Sequence, residues 1–314
     1  MGYFLLRRSV GFVLTLLAVS VVVFAVMNVL PGDPALTILG LDATEDALQA
    51  LRDQLGLNDP LLIRYWSWIT HALVGDFGVS HSFRVPVSDL IAERLPMTIS
   101  LAVSGMIFTV ILALILGIAA AANHRKAGDW GVMFVSQLGI AIPAFWLAML
   151  LVLIFAVNLR WLPPGGFPGW SDPVAAMRAL ILPTVALALV QSSVLARVTR
   201  SSALEVMRQD YVRTARATGF SRQRVLWRHV LPNALVPIVT IVGMQFAALV
   251  TGTIVIENVF YLPGLGRLIF QSIANRDLPT VQALVMLFAA IVVTANFIVD
   301  LLYLVIDPRL KARA

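Results

Sequence analysis

Seven arginines stand between Arg200 and Pro232 against only Glu205 and Asp210, in a chain that is otherwise mostly apolar. Such a stretch suits docking to another molecule rather than bond making. The four histidines, His71, His81, His124 and His229, are scattered without a metal-ligand spacing and read as solvated loop residues. Cysteine is absent, which removes disulfides, thiolate zinc sites and redox motifs together. No membrane-embedded nucleophile with a histidine partner and no pair of catalytic carboxylates is visible. No Walker-type Gly-rich loop ending in Lys-Ser/Thr is present either, so any nucleotide-derived energy must come from another chain. What remains is a set of polar residues inside apolar runs: Gln137, Gln191, Ser192, Ser193, Gln245, Asn296 and Asp300. They either line a water-filled path or hydrogen-bond between helices. Asp300 admits a cation or proton role, or a structural ion pair. Glu257, expected at the outer rim, could meet a peptide amine, a cation or a partner protein.

The elements that must position these residues are membrane helices. Hydrophobic residues make up 59% of the chain and charged ones 13%, unlike a soluble globule. A crossing needs about 20 apolar residues, and six runs qualify: Ser9 to Leu30, Ile99 to Ala122, Val132 to Val157, Leu180 to Arg197, Ala234 to Ile256 and Val281 to Ile306. Their length excludes a barrel. The first follows Arg7 and Arg8 but is too long for a signal peptide and lacks a small-residue cleavage site, so it is expected to be an uncleaved helix. With the N-terminus inside, fifteen of the Lys and Arg residues fall on the cytoplasmic face and eight outside. The positive-inside rule therefore predicts that both termini are cytoplasmic. The net charge of +6 is mostly this topological signal and gives little support to nucleic-acid binding. The fourth run is the weakest, being short and carrying Pro183 and Gln191. Pro143 and Pro237 should bend or loosen the third and fifth.

Three parts follow: residues 1–30, a cytoplasmic N-terminus and first span; 31–97, an extracytoplasmic cap; and 98–314, a core of five spans with a cytoplasmic loop at 200–232. Within the cap, Leu61, Leu62, Tyr65, Trp66, Ile69 and Leu73 recur at helical spacing and predict an amphipathic helix, followed by a turn at Gly75-Asp76-Phe77-Gly78. The Pro- and Gly-rich stretch from Leu162 to Trp170 should be irregular. No short-period repeat is present.

In the basic segment, Ser201 to Thr218 predicts one helix with Leu204, Met207, Tyr211, Ala215 and Thr218 on its stripe. Gly219 should stop it, Ser221 should cap a second helix, and Leu231-Pro232 should break into the fifth span. The result is a helix, turn, helix element.

Arg213-Thr214-Ala215, three residues, Gly219, nine residues, His229-Val230-Leu231-Pro232 resembles the signature loop of ABC-importer permeases, which reads Glu-Ala-Ala, three residues, Gly, nine residues, an aliphatic, one residue, Leu-Pro. Arg213, Thr214 and His229 depart from that pattern. The context from Asp210 to Ala217 is similar to the dipeptide/oligopeptide/nickel branch, and to its B-type subunit. Arg7-Arg8, Leu30-Pro31-Gly32-Asp33-Pro34, Pro263-Gly264-Leu265-Gly266-Arg267, Asp300, Tyr303 and Asp307-Pro308-Arg309 extend the resemblance over nearly the whole chain.

The resemblance implies an all-α, polytopic fold of six transmembrane helices, the type I ABC-importer permease fold, in a bacterial inner membrane. It implies a second and usually non-identical permease, two cytoplasmic ABC ATPase subunits holding ATP and Mg, and an extracytoplasmic solute-binding protein, with no cofactor in this chain. The loop is then a coupling helix. Tyr211, Arg213, Thr214, Ala215 and Gly219 are its contact or turn positions, and Leu231 and Pro232 fix the return to the membrane. Gln137, Gln191, Gln245, Glu257, Asn296 and Asp300 become candidates for the translocation path. The implied cargo is di- or oligopeptides, with nickel chelates or glutathione as alternatives. An ion-coupled secondary transporter would need several intramembrane charges, of which only Asp300 qualifies.

Overall fold

The structure, a computed structural model, describes residues 2–29, 34–40, 43–54 and 56–306. Leu30-Pro31-Gly32-Asp33 and Asp307-Pro308-Arg309 lie outside the described residues, as do the side chains of Asp300 and Tyr303. In chain order the helices are α1 (Gly2–Val29), α2 (Pro34–Leu39), α3 (Glu45–Gln54), α4 (Leu61–Leu73), α5 (Val87–Ala122), α6 (Ala127–Ala141), α7 (Ala144–Leu151), α8 (Pro173–Met207), α9 (Asp210–Ala217), α10 (Arg222–Val225), α11 (Leu231–Val259), α12 (Leu265–Ala274) and α13 (Leu278–Ile306). π-Helical turns occupy Val152–Asn158 and Leu226–Val230. Among the described residues the only strand-like feature is an isolated antiparallel bridge between Val79 and Pro86.

Among the described residues five helices are long and apolar enough to cross a membrane, and the pair formed by α6 with α7 and its π turn makes a sixth span if counted as one. That pair occupies the third span expected from Val132 to Val157, and the bend expected at Pro143 is large: the two halves diverge by 105°. Pro143 supplies no N–H, and Ile142 before it is extended at φ −86°, ψ 125°. The fourth span is revised. It is the middle of a 35-residue helix, α8, about 52 Å long and so longer than a bilayer core. Asp172 starts it by accepting hydrogen bonds from the Val174 and Ala175 amides at 3.1 and 3.0 Å, with Pro173 as its first residue.

The chain forms two compact units, Thr98–Leu262 with the segment beginning at Ala295, and Gly2–Met97 with Pro263–Thr294. In the first, α8 is the hub, packing against α6, α7 and α11. Apolar side chains gain little by leaving lipid for one another, so this packing depends on close approach. Ala186, Ala188, Ala196 and Ala203 of α8 are fully enclosed. A Cβ on Gly139 of α6 would strike the Ser193 hydroxyl, and one on Gly117 of α5 would strike the Thr199 side chain and the Ala196 carbonyl.

In the second unit, α4 has the predicted bounds but not the predicted buried face. It meets α1 through Tyr65 and Trp68: the Tyr65 hydroxyl is 2.8 Å from that of Ser20, and both rings lie against Phe24. Leu61, Leu62, Trp66 and Leu73 are exposed. Beyond the turn at Gly75 to Gly78, the buried Asp277 carboxylate gathers the loop. It accepts from the Ser80 hydroxyl (2.5 Å), the Thr280 hydroxyl (2.9 Å) and the amides of His81 (3.1 Å) and Ser82 (3.4 Å). Burial pushes the His81 imidazole below its ordinary pKa, and Asp277 works against that shift.

Gly117→Val is expected to destabilise the chain by about 2–3 kcal/mol through overpacking. Gly131→Ala on α6, where a Cβ meets open space, should not. Equal thermal midpoints for the two variants in detergent would contradict the packing described. For His81, the unfolded imidazole titrates near about 6.5 and binds more protons than the folded one. Its contribution is therefore complete above that pH and declines as pH falls below it. The thermal midpoint should drop between pH values of about 7.5 and 5.5, and His81→Asn should reduce that drop.

Candidate functional site

The basic segment folds as two helices where one was expected from Ser201 to Thr218. The chain breaks at Arg208 and Gln209, and Gln209 is extended at φ −70°, ψ 147°. The break re-phases the buried stripe. Val212, fully enclosed, and Ala215 pack into a cluster with Ile118 and Ala121 of α5, Ala203 of α8, and Val225, Leu226 and Val230. Tyr211, 45% exposed, lies outside that cluster, as do the exposed Arg213, Thr214 and Thr218. Arg213 reaches Asp210 at 3.4 Å, an exposed pair that holds little energy. Of the residues expected at a partner surface, Tyr211, Arg213 and Thr214 are therefore presented outward, whereas Ala215 anchors the element from within.

Gly219 ends α9 at φ +87°, the left-handed conformation that glycine adopts without strain. The Ser221 hydroxyl then accepts the Arg224 amide at 3.4 Å and starts α10. Phe220 stacks on the His229 ring at 5.6 Å, and the Arg224 guanidinium lies 5.6 Å from the Phe220 ring centroid. No break occurs at Leu231-Pro232, against expectation. The chain stays helical from Arg222 to Val259, and the π turn at Leu226–Val230 immediately precedes the proline. The wider turn supplies the room that a proline ring needs against the preceding carbonyls. Leu231 is half-buried and Pro232 exposed.

An ion pair fixes the neighbouring turn between α5 and α6. Asp129 is buried on the first turn of α6 and accepts two bonds from Arg200 of α8, from Nε at 2.5 Å and Nη2 at 2.7 Å. It also accepts the Arg125 amide at 3.0 Å, and His124 Nδ1 lies 3.3 Å away. His124 is therefore held in a charged cluster, which corrects its reading as a solvated loop residue. The sequence offers no local signal for this pairing, because its members lie 71 positions apart. Only the rarity of an acid beside an apolar run hinted at it.

The candidate path residues separate into two groups. Gln191 and Gln245 clamp α8 to α11: Gln245 Nε2 donates to the Gln191 carbonyl at 3.1 Å, and Gln191 Nε2 to the Gln245 carbonyl at 3.5 Å. Ser192 and Ser193 are buried and return their hydroxyls to the Leu189 carbonyl at 3.0 and 2.8 Å. Glu257 is not a rim carboxylate. It is fully enclosed and accepts the Thr98 hydroxyl at 2.6 Å. Gln137 on α6 and Asn296 on α13 are exposed, and the Asp300 side chain lies outside the described residues. No group of three His, Asp or Glu suited to a metal ion occurs among the described residues.

Comparison with known proteins agrees with this architecture. Residues 113–312 match the family described as binding-protein-dependent transport system inner membrane component, and residues 1–102 match the N-terminal family of such membrane components. A Brucella abortus (strain 2308) protein, provisionally named a peptide transport system permease, is 43% identical over 308 residues, covering 98% of each chain. The glutathione transport system permease protein GsiC of Salmonella typhimurium (strain LT2) is 44% identical over 308 residues, again 98% of each. Among solved structures, an amino acid ABC transporter crystallised with histidines aligns at a TM-score of 0.52 and 16% identity, covering 68% of this chain and 93% of that one, which bears on fold alone. The long apolar helices, the helix, turn, helix element and these matches make the chain a multi-pass membrane protein that belongs to the binding-protein-dependent transport system inner membrane component family, the permeases of ABC transporters.

Proposed function

We propose that this chain forms half of the translocation pathway of an ATP-driven importer for di- and oligopeptides, glutathione among them, delivered by a solute-binding protein. α9 is the coupling helix. The observation that carries this is its construction: α9 is locked to α5 and α8 through Val212 and Ala215, while Tyr211, Arg213 and Thr214 stay exposed to a partner. A helix held in this way passes a push from an ATPase subunit into the membrane helices instead of yielding to it. The names of the relatives from Brucella and Salmonella support the peptide and glutathione class of cargo.

In this assembly a second, non-identical permease completes the pathway and two ATPases carry ATP and Mg. Both termini and α9 are cytoplasmic, following the Lys and Arg bias, and 31–97 caps the opposite face. Gln137 and Asn296, exposed on their helices, together with Asp300, meet water in the pathway once the second permease stands opposite. Gln191, Gln245 and Glu257 hold the walls in register.

The test uses the transporter reconstituted with its ATPases and binding protein. Gly219→Val forces a β-branched residue into a left-handed conformation, at a cost of about 1–2 kcal/mol, and is expected to cut binding-protein-stimulated ATP hydrolysis at least about tenfold while basal hydrolysis persists. Unchanged stimulation would remove Gly219 from the coupling turn. Active transport by the chain alone, without an ATPase, would sink the importer itself. Uptake inhibited by neither dipeptides nor glutathione would overturn the cargo class only.

A further inference from the structure

A pocket of about 400 Å³ opens beside the coupling helix, between the α5–α6 turn, the end of α8 and α9. Lys126, Arg216 and Arg222 contribute its charge beside the His124 ring, and no carboxylate is among its lining residues. Ala121, Met207 and Phe220 give it an apolar wall. The nearby acid, Asp129, is already occupied by Arg200 and the Arg125 amide. Lys126, Arg216 and Arg222 are exposed, and none is joined to an acid among the described residues.

We propose that this pocket seats the phosphate of an anionic phospholipid headgroup, and that the lipid bridges the α5–α6 turn to α9. Convergent cations without a counter-charge repel one another and favour an anion among them. A phosphate ester from lipid or from a soluble metabolite shares that chemistry. The position selects the lipid. Trp130, one helical turn beyond Lys126, is 74% exposed, and Phe134 and Val135 continue its apolar surface along α6. An exposed tryptophan at the end of a spanning helix marks the headgroup level, and basic pockets between helices at that depth take anionic headgroups. The Asp129–Arg200 pair holds the turn that carries His124 and Lys126, so the site is formed before any lipid arrives. Arg216 lies on α9 and Lys126 on the α5–α6 turn. A headgroup between them therefore adds a tie to the coupling element beyond its apolar packing. The site does not depend on which solute is carried.

The test is lipid retention by the intact, nucleotide-free transporter, read by native mass spectrometry after incubation with phosphatidylglycerol or phosphatidylcholine. Phosphatidylglycerol is expected to be kept in preference. Lys126→Glu with Arg222→Glu should weaken its retention about tenfold, and the milder Lys126→Gln with Arg222→Gln about threefold, which covers the case of a variant that does not fold. Arg228→Glu removes a basic residue that does not line the pocket and should leave retention unchanged. Equal retention of the two lipids, no effect of either double variant, or an equal effect of Arg228→Glu would overturn the site. Displacement of the lipid by an equal concentration of inorganic phosphate would reassign it to a soluble anion. Loss of ATPase co-purification with lipid retention intact would reassign it to a carboxylate of the ATPase. A failed lipid result leaves the nucleotide-coupling readout untouched, so the two readings fail separately.

Discussion

Helices immersed in hydrocarbon gain little from burying apolar surface against one another, and their backbone polar groups are already paired within each helix. What holds them is proximity, which small residues permit, together with the few polar contacts that proximity allows. The α8 hub satisfies this condition along its length. Alanines line its contacts, Gly117 and Gly139 bring α5 and α6 against it, and Gln191 reaches the α11 backbone while Gln245 reaches back. Arg200 lies near one end of that hub and α9 just beyond it.

Polar groups in this permease are used sparingly and for placement. Asp129 with Arg200 fixes a turn, Asp277 gathers a loop, Glu257 takes the Thr98 hydroxyl, and paired glutamines set the separation of two helices. The three carboxylates are enclosed, so removing the partner of any one leaves a desolvated group behind. In this chain Gln191, Ser192, Ser193, Gln245 and Glu257 each make a hydrogen bond that ties helices or their backbone. The exposed ones, Gln137 and Asn296, are those whose surroundings the isolated chain leaves open.

Features with a local cause were legible in the sequence. Gly219 ends a helix because its position needs a left-handed residue, and α4 keeps its predicted bounds because its periodicity and its flanking Pro60 agree. The spans followed from hydropathy alone. Other features had causes that residue spacing does not carry. The 105° divergence at Pro143 exceeds an ordinary proline kink because Ile142 leaves the helix altogether. The stripe through Tyr211 failed because an extended Gln209 resets the phase. The ion pair at Asp129 joins residues 71 positions apart, beyond the reach of any spacing rule.

The uninterrupted helical path from Arg222 to Val259 has a mechanical meaning. At 1.5 Å per residue it is roughly 55 Å long, and one end lies in the cluster that anchors α9 while the other carries the enclosed Glu257. A lever of that length turns a tilt of about 10° at one end into a stroke of roughly 10 Å at the other. The π turn inside it shifts the angular phase of everything that follows. The angular position of every α11 side chain is thus set by a widened turn close to α9, and a small change there would gear the far end differently.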